Sequence, residues 1–274
     1  QKKDFKIGIL IDNLSAEVTP IIAELQEEIK AVVGEDANIT FQEFDKTSNG
    51  FNVEKVRANY KTLIQGDVDI ILAFGTISNL IVGQQKEHQK PTILFGAANN
   101  DILGFDETSQ SSGIHNFNFL VSSQSYSRDL ETFKNLYDYK KLAVLVEDFL
   151  PDVLAIETVL DKEATKLEID YTIVPYKSVD DIKNGIKDVD AVYLTGGFFL
   201  NESQIKDLSQ FLIDQKLPSF TASPVEDVRL GLMATNQSEQ NLDRFFRRIA
   251  LNVEAIVNGK DAAELPVYMD YNNN

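Results

Sequence analysis

Short runs of apolar residues recur along this chain, each followed by a loop rich in Gly, Ser, Thr or Asn and then by an amphipathic helix. Residues 5–11 (FKIGILI), 68–74 (VDIILAF) and 91–96 (PTILFG) supply the runs of the first half. Residues 142–147 (LAVLVE), 189–195 (VDAVYLT) and 217–222 (LPSFTA) supply those of the second. Strands that are apolar almost without interruption are buried on both faces, which is the pattern of parallel sheets covered by helices. The expected fold class is therefore α/β, with two Rossmann-like lobes of parallel sheet. Such sheets bind ligands beyond the carboxyl ends of their strands, so the residues that directly follow each strand are the ones to inspect.

The elements between these runs follow the same plan. A helix is expected over 16–33, stopped by Gly34, and a more alternating, half-exposed strand over 38–44. Asn52 caps a helix that runs to Gln65 and halts at Gly66, and a further helix runs from the loop at Gly75 to about His88. Residues 97–101 read as a loop with no helical pattern, and 114–121 (IHNFNFLV) as an extended crossover after Gly113. Helices at 123–137, from Pro151, at 179–187 and at 202–214, with strands at 170–175 and 230–235, complete the second half. The clearest helix spans 239–258, where Leu242, Phe245, Phe246, Ile249, Val253, Ile256 and Val257 share one face. One more extended segment, 265–271, closes the chain.

A length of 274 residues suits two lobes of roughly 120 residues each. The net charge of −17, from 43 acidic against 26 basic residues, repels phosphate backbones and anionic lipid, so no nucleic-acid partner is expected. With no cysteine there is no disulfide and no thiolate nucleophile or zinc–thiolate site. No stretch approaches the roughly 20 apolar residues of a membrane helix, so no direct membrane insertion is expected of this chain. His88 and His115 are the only histidines, neither lies in a nucleophile motif, and two cannot fill a transition-metal site. The expectation is a binding protein rather than an enzyme, with no metal and no cofactor.

The ordered segments FKIGILID, DIILAFGTISNLIVGQQ, KPTILFGAANND, SSGIHNF, KLAVLVEDFLPD, VDAVYLTGG, LPSFTASPVEDVRLGLMAT and NGKDAAELPV carry a resemblance over nearly the whole chain. In order and spacing it resembles the type I periplasmic binding proteins, and among them the solute-binding subunits of ABC importers related to those for aromatic amino acids. The resemblance implies two hinged lobes that close on a small organic ligand, amino-acid-like and bearing a carboxylate. It further implies an ABC permease as partner and a periplasmic or cell-envelope location, with Gln1 a mature terminus after signal removal. A ligand-sensing domain cut from a larger envelope protein is the alternative. Two stretches depart from that family: Gly196-Gly197-Phe198-Phe199, where it is more polar, and Asn236-Gln237-Ser238-Glu239, where it is rich in tyrosine. Lobe 1 is expected over 1–117 and 237–262, and lobe 2 over 118–236 and 263–274.

The candidate ligand contacts follow from the strand ends. Thr76 and Ser78 behind Gly75 place hydroxyls and free backbone N–H groups at a helix start, a seat for a carboxylate or an ordinary N-cap. There is no Lys in a phosphate-loop position. Ala98, Asn99, Asn100 and Asp101 follow a buried strand, as ligand contacts or turn formers, and Asn13 and Ser15 hold the matching place on the first loop. Asn116 lies in the crossover. In the second half Glu147, Asp148 and Phe149 offer two acids and a ring. Gly196 and Gly197 permit close backbone approach, and Phe198 beside Phe199 puts at least one ring toward the ligand or the lobe interface. Ser223, Glu226 and Asp227 complete the set, either as contacts or as a helix cap with a charged first turn.

Overall fold

A computed structural model describes residues 1–42, 49–196, 199–239 and 241–269. The chain divides into two compact units: Gln1–Ser122 with everything from Asn241 onward, and Ser123–Gln240. The first contains β1 (Lys3–Ile11), α1 (Val18–Val33), β2 (Ala37–Phe41), α2 (Val53–Gln65), β3 (Ile70–Phe74), α3 (Thr76–Gly83), β4 (Thr92–Phe95), α4 (Asn100–Leu103) and β5 (Phe117–Phe119). The second contains α5 (Tyr126–Leu136), β6 (Lys141–Glu147), α6 (Leu150–Val153), α7 (Ile156–Leu167), β7 (Asp170–Tyr176), α8 (Val179–Gly185), β8 (Ala191–Leu194), α9 (Glu202–Asp214), β9 (Ser219–Thr221), α10 (Val225–Arg229) and β10 (Ala234–Thr235). Helix α11 (Leu242–Val257) and a 3₁₀ turn (Ala262–Glu264) then complete the first unit.

Each unit carries one five-stranded sheet, ordered β2-β1-β3-β4-β5 and β10-β9-β8-β6-β7, with every pairing parallel. Counted within its own unit, each order is 2-1-3-4-5, so the connection reverses beside the first strand. In the first sheet alternate residues divide between two faces. Ile7, Ile9 and Ile11 of β1, Ile70 and Leu72 of β3, and Ile93 and Phe95 of β4 pack with Leu25 and Ile29 of α1 and Ile249 and Val253 of α11. The intervening Leu10, Ile71, Ala73 and Leu94 are buried as well, which explains the continuous apolar runs. The second sheet buries Ala143, Leu145, Val192 and Leu194 against Ile205, Leu208 and Leu212 of α9.

Several boundaries differ from the sequence reading, each for a local reason. Strand β2 stops at Phe41, and the rest of the expected 38–44 run lies outside the described residues from 43 onward. Helix α3 stops at Gly83 rather than near His88, since His88 leaves the helix to stack on Phe117 at 4.3 Å. The loop at 97–101 turns into α4, because Asn99 Oδ1 accepts the Ile102 N–H at 3.0 Å and forms an N-cap. The 230–235 strand shrinks to Ala234–Thr235, as α10 and its last turn take up the preceding residues.

The crossover segment is instead an edge strand: Phe117, Asn118 and Phe119 pair with Thr92, Ile93 and Leu94, so residues 118–122 belong to the first unit. Of the tail placed with the second lobe on sequence, 263–274, the described residues 263–269 also pack in the first. Buried Asn118 donates to the carbonyls of Leu265 (3.3 Å) and Pro266 (3.0 Å), while Asn252 of α11 donates to Asn118 Oδ1 (3.0 Å) and to Pro266 O (3.1 Å). Buried amides need partners, and this tail supplies carbonyls for both. Asn252→Ala leaves Asn118 Oδ1 and Pro266 O without that donor and is expected to cost about 1–3 kcal/mol of stability. Urea unfolding of the variant checks this; a shift below about 0.5 kcal/mol would contradict the network.

Candidate functional site

For a 2-1-3-4-5 order, the crevice where ligands bind opens at the carboxyl ends of the first and third strands. In the first unit these ends are Asp12 after β1 and Gly75-Thr76 after β3. Asp12 is buried, and its carboxylate lies against the start of α3: the Ile77 N–H donates to Oδ2 and the Ser78 N–H to Oδ1, both at 2.8 Å. Such close approach needs a glycine at 75. Gly75 has φ +117°, and a Cβ there would lie 2.6 Å from Asp12 Oδ2. Burial pushes Asp12 up to about 7, against the lowering effect of these donated bonds.

The helix start at Thr76 and Ser78, expected to seat a ligand carboxylate or to be an ordinary N-cap, holds the chain's own Asp12 carboxylate. Ser78 is fully buried, and its hydroxyl donates to Gly75 O at 3.2 Å. Asn79 completes the internal set, donating to Ala73 O and accepting from the Ala97 N–H. Sequence inspection passed over Asp12 as a site residue. The available signal was an acid directly behind a buried strand, opposite a Gly-Thr helix start.

The other first-unit candidates divide by position. Asn13 follows Asp12 at the switch point and is half-buried. The Ser15 hydroxyl accepts the Val18 N–H at 3.2 Å, at the start of α1. Ala98 is buried, and its carbonyl accepts the Ser122 N–H; Asn99 caps α4, and Asp101 lies in the first turn of that helix. Asn116 stands at the wrong end of the sheet, before β5 rather than after it. It has φ +60°, donates its backbone N–H to Asp261 Oδ1 (2.9 Å) and its amide to His88 O (3.0 Å), and so secures the amino-terminal edge. His115 pairs with Asp261 at that same edge. Both histidines therefore lie away from the strand ends that carry the acids.

In the second unit the corresponding ends are Glu147, the last residue of β6, and Thr195-Gly196 after β8. Glu147 is buried, with Tyr176 OH 3.5 Å from Oε1. Its carboxyl group occupies the space over Gly196: a Cβ there would overlap Oε1 and lie 2.9 Å from Cδ. The Gly196 carbonyl accepts from the Ser223 hydroxyl, and the Ser223 N–H donates to Thr221 Oγ1 at 3.0 Å. Thr195 Oγ1 donates to Leu145 O at 2.9 Å. Burial raises the Asp227 carboxyl above its ordinary value, against a lowering bond from the Ser223 side chain.

Asp148 and Glu226 are exposed. Phe149 is not the ligand-facing ring expected from sequence. It is 5 % exposed and meets Phe199 edge-on at 5.6 Å, so its ring belongs to the packed interior; Phe199 in turn packs on the second core. Gly197 and Phe198 lie outside the described residues.

A groove of about 950 Å³ runs along the outside of the first unit between Glu24 and Glu28 of α1 and Arg244 and Arg247 of α11. It lies on helices, away from the strand ends, and Arg247 pairs with Glu28 across it at 3.2 Å. Among the described residues no group of three or more His, Cys, Asp or Glu could hold a metal ion, and no helix is long and apolar enough to cross a membrane.

No protein-family profile matches the sequence, and a comparison with curated proteins gives no match. Solved structures do match. An ABC domain in complex with L-Trp from Streptococcus pneumonia is 16 % identical with a TM-score of 0.67, covering 97 % of this chain and 89 % of that one. An open, ligand-free substrate-binding protein with adhesive properties from Clostridium difficile is 15 % identical with a TM-score of 0.58, covering 98 % and 90 %. A solute-binding protein of an ABC transporter from R. palustris, in complex with 4-hydroxybenzoate, is 15 % identical with a TM-score of 0.56, covering 97 % and 76 %. The fold of this chain is that of the type I periplasmic binding proteins.

Proposed function

We propose that this protein captures a small organic solute, amino-acid-like or aromatic, at its strand-end loops and delivers it to an ABC permease in the cell envelope. The observation that carries this reading is the repeated construction of the two units. Each has the same strand order, and each places a buried acid, Asp12 or Glu147, at the switch point where open parallel sheets bind ligands. The structural neighbours that hold L-Trp and 4-hydroxybenzoate lend support to a solute of that size. Both acids are held by hydrogen bonds of the fold, Asp12 by two backbone N–H groups and Glu147 beside Tyr176, as suits groups that recognise rather than react.

Thermal unfolding in the presence of amino acids, aromatic acids and amines tests the reading. A solute at 100 times its Kd adds about 2.7 kcal/mol of stability, which raises the Tm by roughly 5–10 °C for a chain of this size. A folded protein whose Tm no solute raises would overturn solute capture.

A further inference from the structure

We propose that Asp12 fixes the charge of the ligand: the first unit's switch point takes an amine-bearing, cationic group, and a solute whose only ionised group is a carboxylate is rejected there. This rests on the solute-binding reading and names the ligand class for it. The N–H groups that would receive an anion at the start of α3 are already bonded to both oxygens of Asp12, so an incoming carboxylate finds no free donor there and, above about pH 7 where Asp12 is ionised, meets a like charge. Among the described residues the loops that follow β1, β3, β4 and β5, over 12–16, 75–79, 96–102 and 120–122, contain no Lys or Arg, while Asp12 and Asp101 are acidic.

The second unit is built alike. Glu147 and Asp148 stand at the end of β6 and Glu226 and Asp227 in α10 behind β9, while of the cations there Lys177 directly follows β7 and Arg229 is paired with Glu239. A helix start that would draw anions has been converted into a fixed acceptor site. Gly75 is what permits the conversion, because any side chain at 75 would displace the carboxylate. An ammonium group is drawn to the ionised Asp12 and the acidic surroundings of the loop, and charge-assisted bonds to a carboxylate are the strong ones.

The test compares ligand sets that share a skeleton and differ in charge: tryptamine, indole-3-propionate and indole-3-propionamide; phenethylamine, 3-phenylpropionate and its amide; putrescine, succinate and succinamide. Thermal shift followed by calorimetry is run on wild type, Asp12→Asn and Asp12→Gly, with circular dichroism to show that each variant is folded. The expected result is stabilisation of wild type by amines alone. Asp12→Asn is expected to weaken them at least about tenfold, and Asp12→Gly, with its α3 N–H groups freed, to bind carboxylates that wild type rejects. A cap with only a structural role would lower stability without changing which charge is bound. Should Asp12→Gly not fold, the wild-type preference and the Asp12→Asn loss still decide. Wild-type binding of carboxylates or amides but not amines, or amine affinity unchanged in Asp12→Asn, overturns the charge assignment and leaves solute capture standing. Binding in none of the three charge classes removes both.

Discussion

Gly75→Ala is expected to lower the unfolding free energy by about 2–6 kcal/mol, from two sources that add. A non-glycine residue at φ +117° carries backbone strain of about 1–3 kcal/mol. The new methyl group, 2.6 Å from Asp12 Oδ2 and 2.7 Å from Cγ, must push a buried carboxylate off two backbone N–H donors, for about 1–3 kcal/mol more. At about 2–4 °C per kcal/mol this is a large fall in Tm. The second source vanishes when the carboxylate is absent, so in an Asp12→Gly background the same substitution is expected to cost only the strain. Urea unfolding of the double-mutant cycle measures the difference, and identical costs in both backgrounds would show that Asp12 does not occupy the start of α3.

The second large effect is a pH dependence that Asp12 imposes. Burial lifts its carboxyl from 3.8 to about 7, so the folded protein retains a proton that the unfolded chain has released. The resulting stability is fully present below about pH 4 and is lost as pH rises through 7. The total is about 4 kcal/mol, because each tenfold change in proton affinity between the folded and unfolded chain is worth about 1.36 kcal/mol. Asp261 acts with the opposite sign. Backbone N–H groups of Ala263 and Asn116, then His115, hold it down to about 2, so its contribution is present above about pH 4 and lost as pH falls through 2. Asp12→Asn removes only the first effect. The stability difference between wild type and Asp12→Asn is therefore expected to change by about 4 kcal/mol between pH 4 and pH 8, in the direction that disfavours wild type at high pH. A difference constant across that range would contradict a buried, proton-retaining Asp12.

How much of this was legible in the sequence depended on whether the determining contact was local. The parallel sheets could be read because both faces of β1, β3, β6 and β8 are buried, which leaves unbroken apolar runs. Helix α9, read as 202–214, agrees with Glu202–Asp214, because Asn201 and Gln204 form a capping box that is visible in four consecutive residues. Helix α11 was legible from its stripe of Phe246, Ile249, Val253 and Ile256. What escaped were contacts between distant residues. The acid behind β1 is visible at position 12, but that its side chain reaches Ile77 and Ser78 is a contact across 65–66 residues, so the helix start at Thr76 reads as an anion seat when α3 is considered alone. Asn116 reads as a ligand contact within an extended crossover until the pairing of β5 with β4 shows that it precedes an edge strand. Phe149 reads as a ring offered to a ligand until Phe199 is seen to pack against it. The tail after 263 could be assigned only once the buried amides of Asn118 and Asn252 were seen to need its carbonyls.

On the proposed reading, solute binds at the strand-end loops that carry the two buried acids. Backbone amide shifts of the ¹⁵N-labelled protein, titrated with whichever solute gives the largest thermal shift, test it most directly. The predicted result is a set of saturable perturbations at Asp12, Asn13 and Gly75 to Ser78, and at Glu147, Gly196 and Ser223. Perturbations confined to the α1–α11 groove, around Glu24, Arg244 and Arg247, with the strand-end amides unmoved, would contradict it.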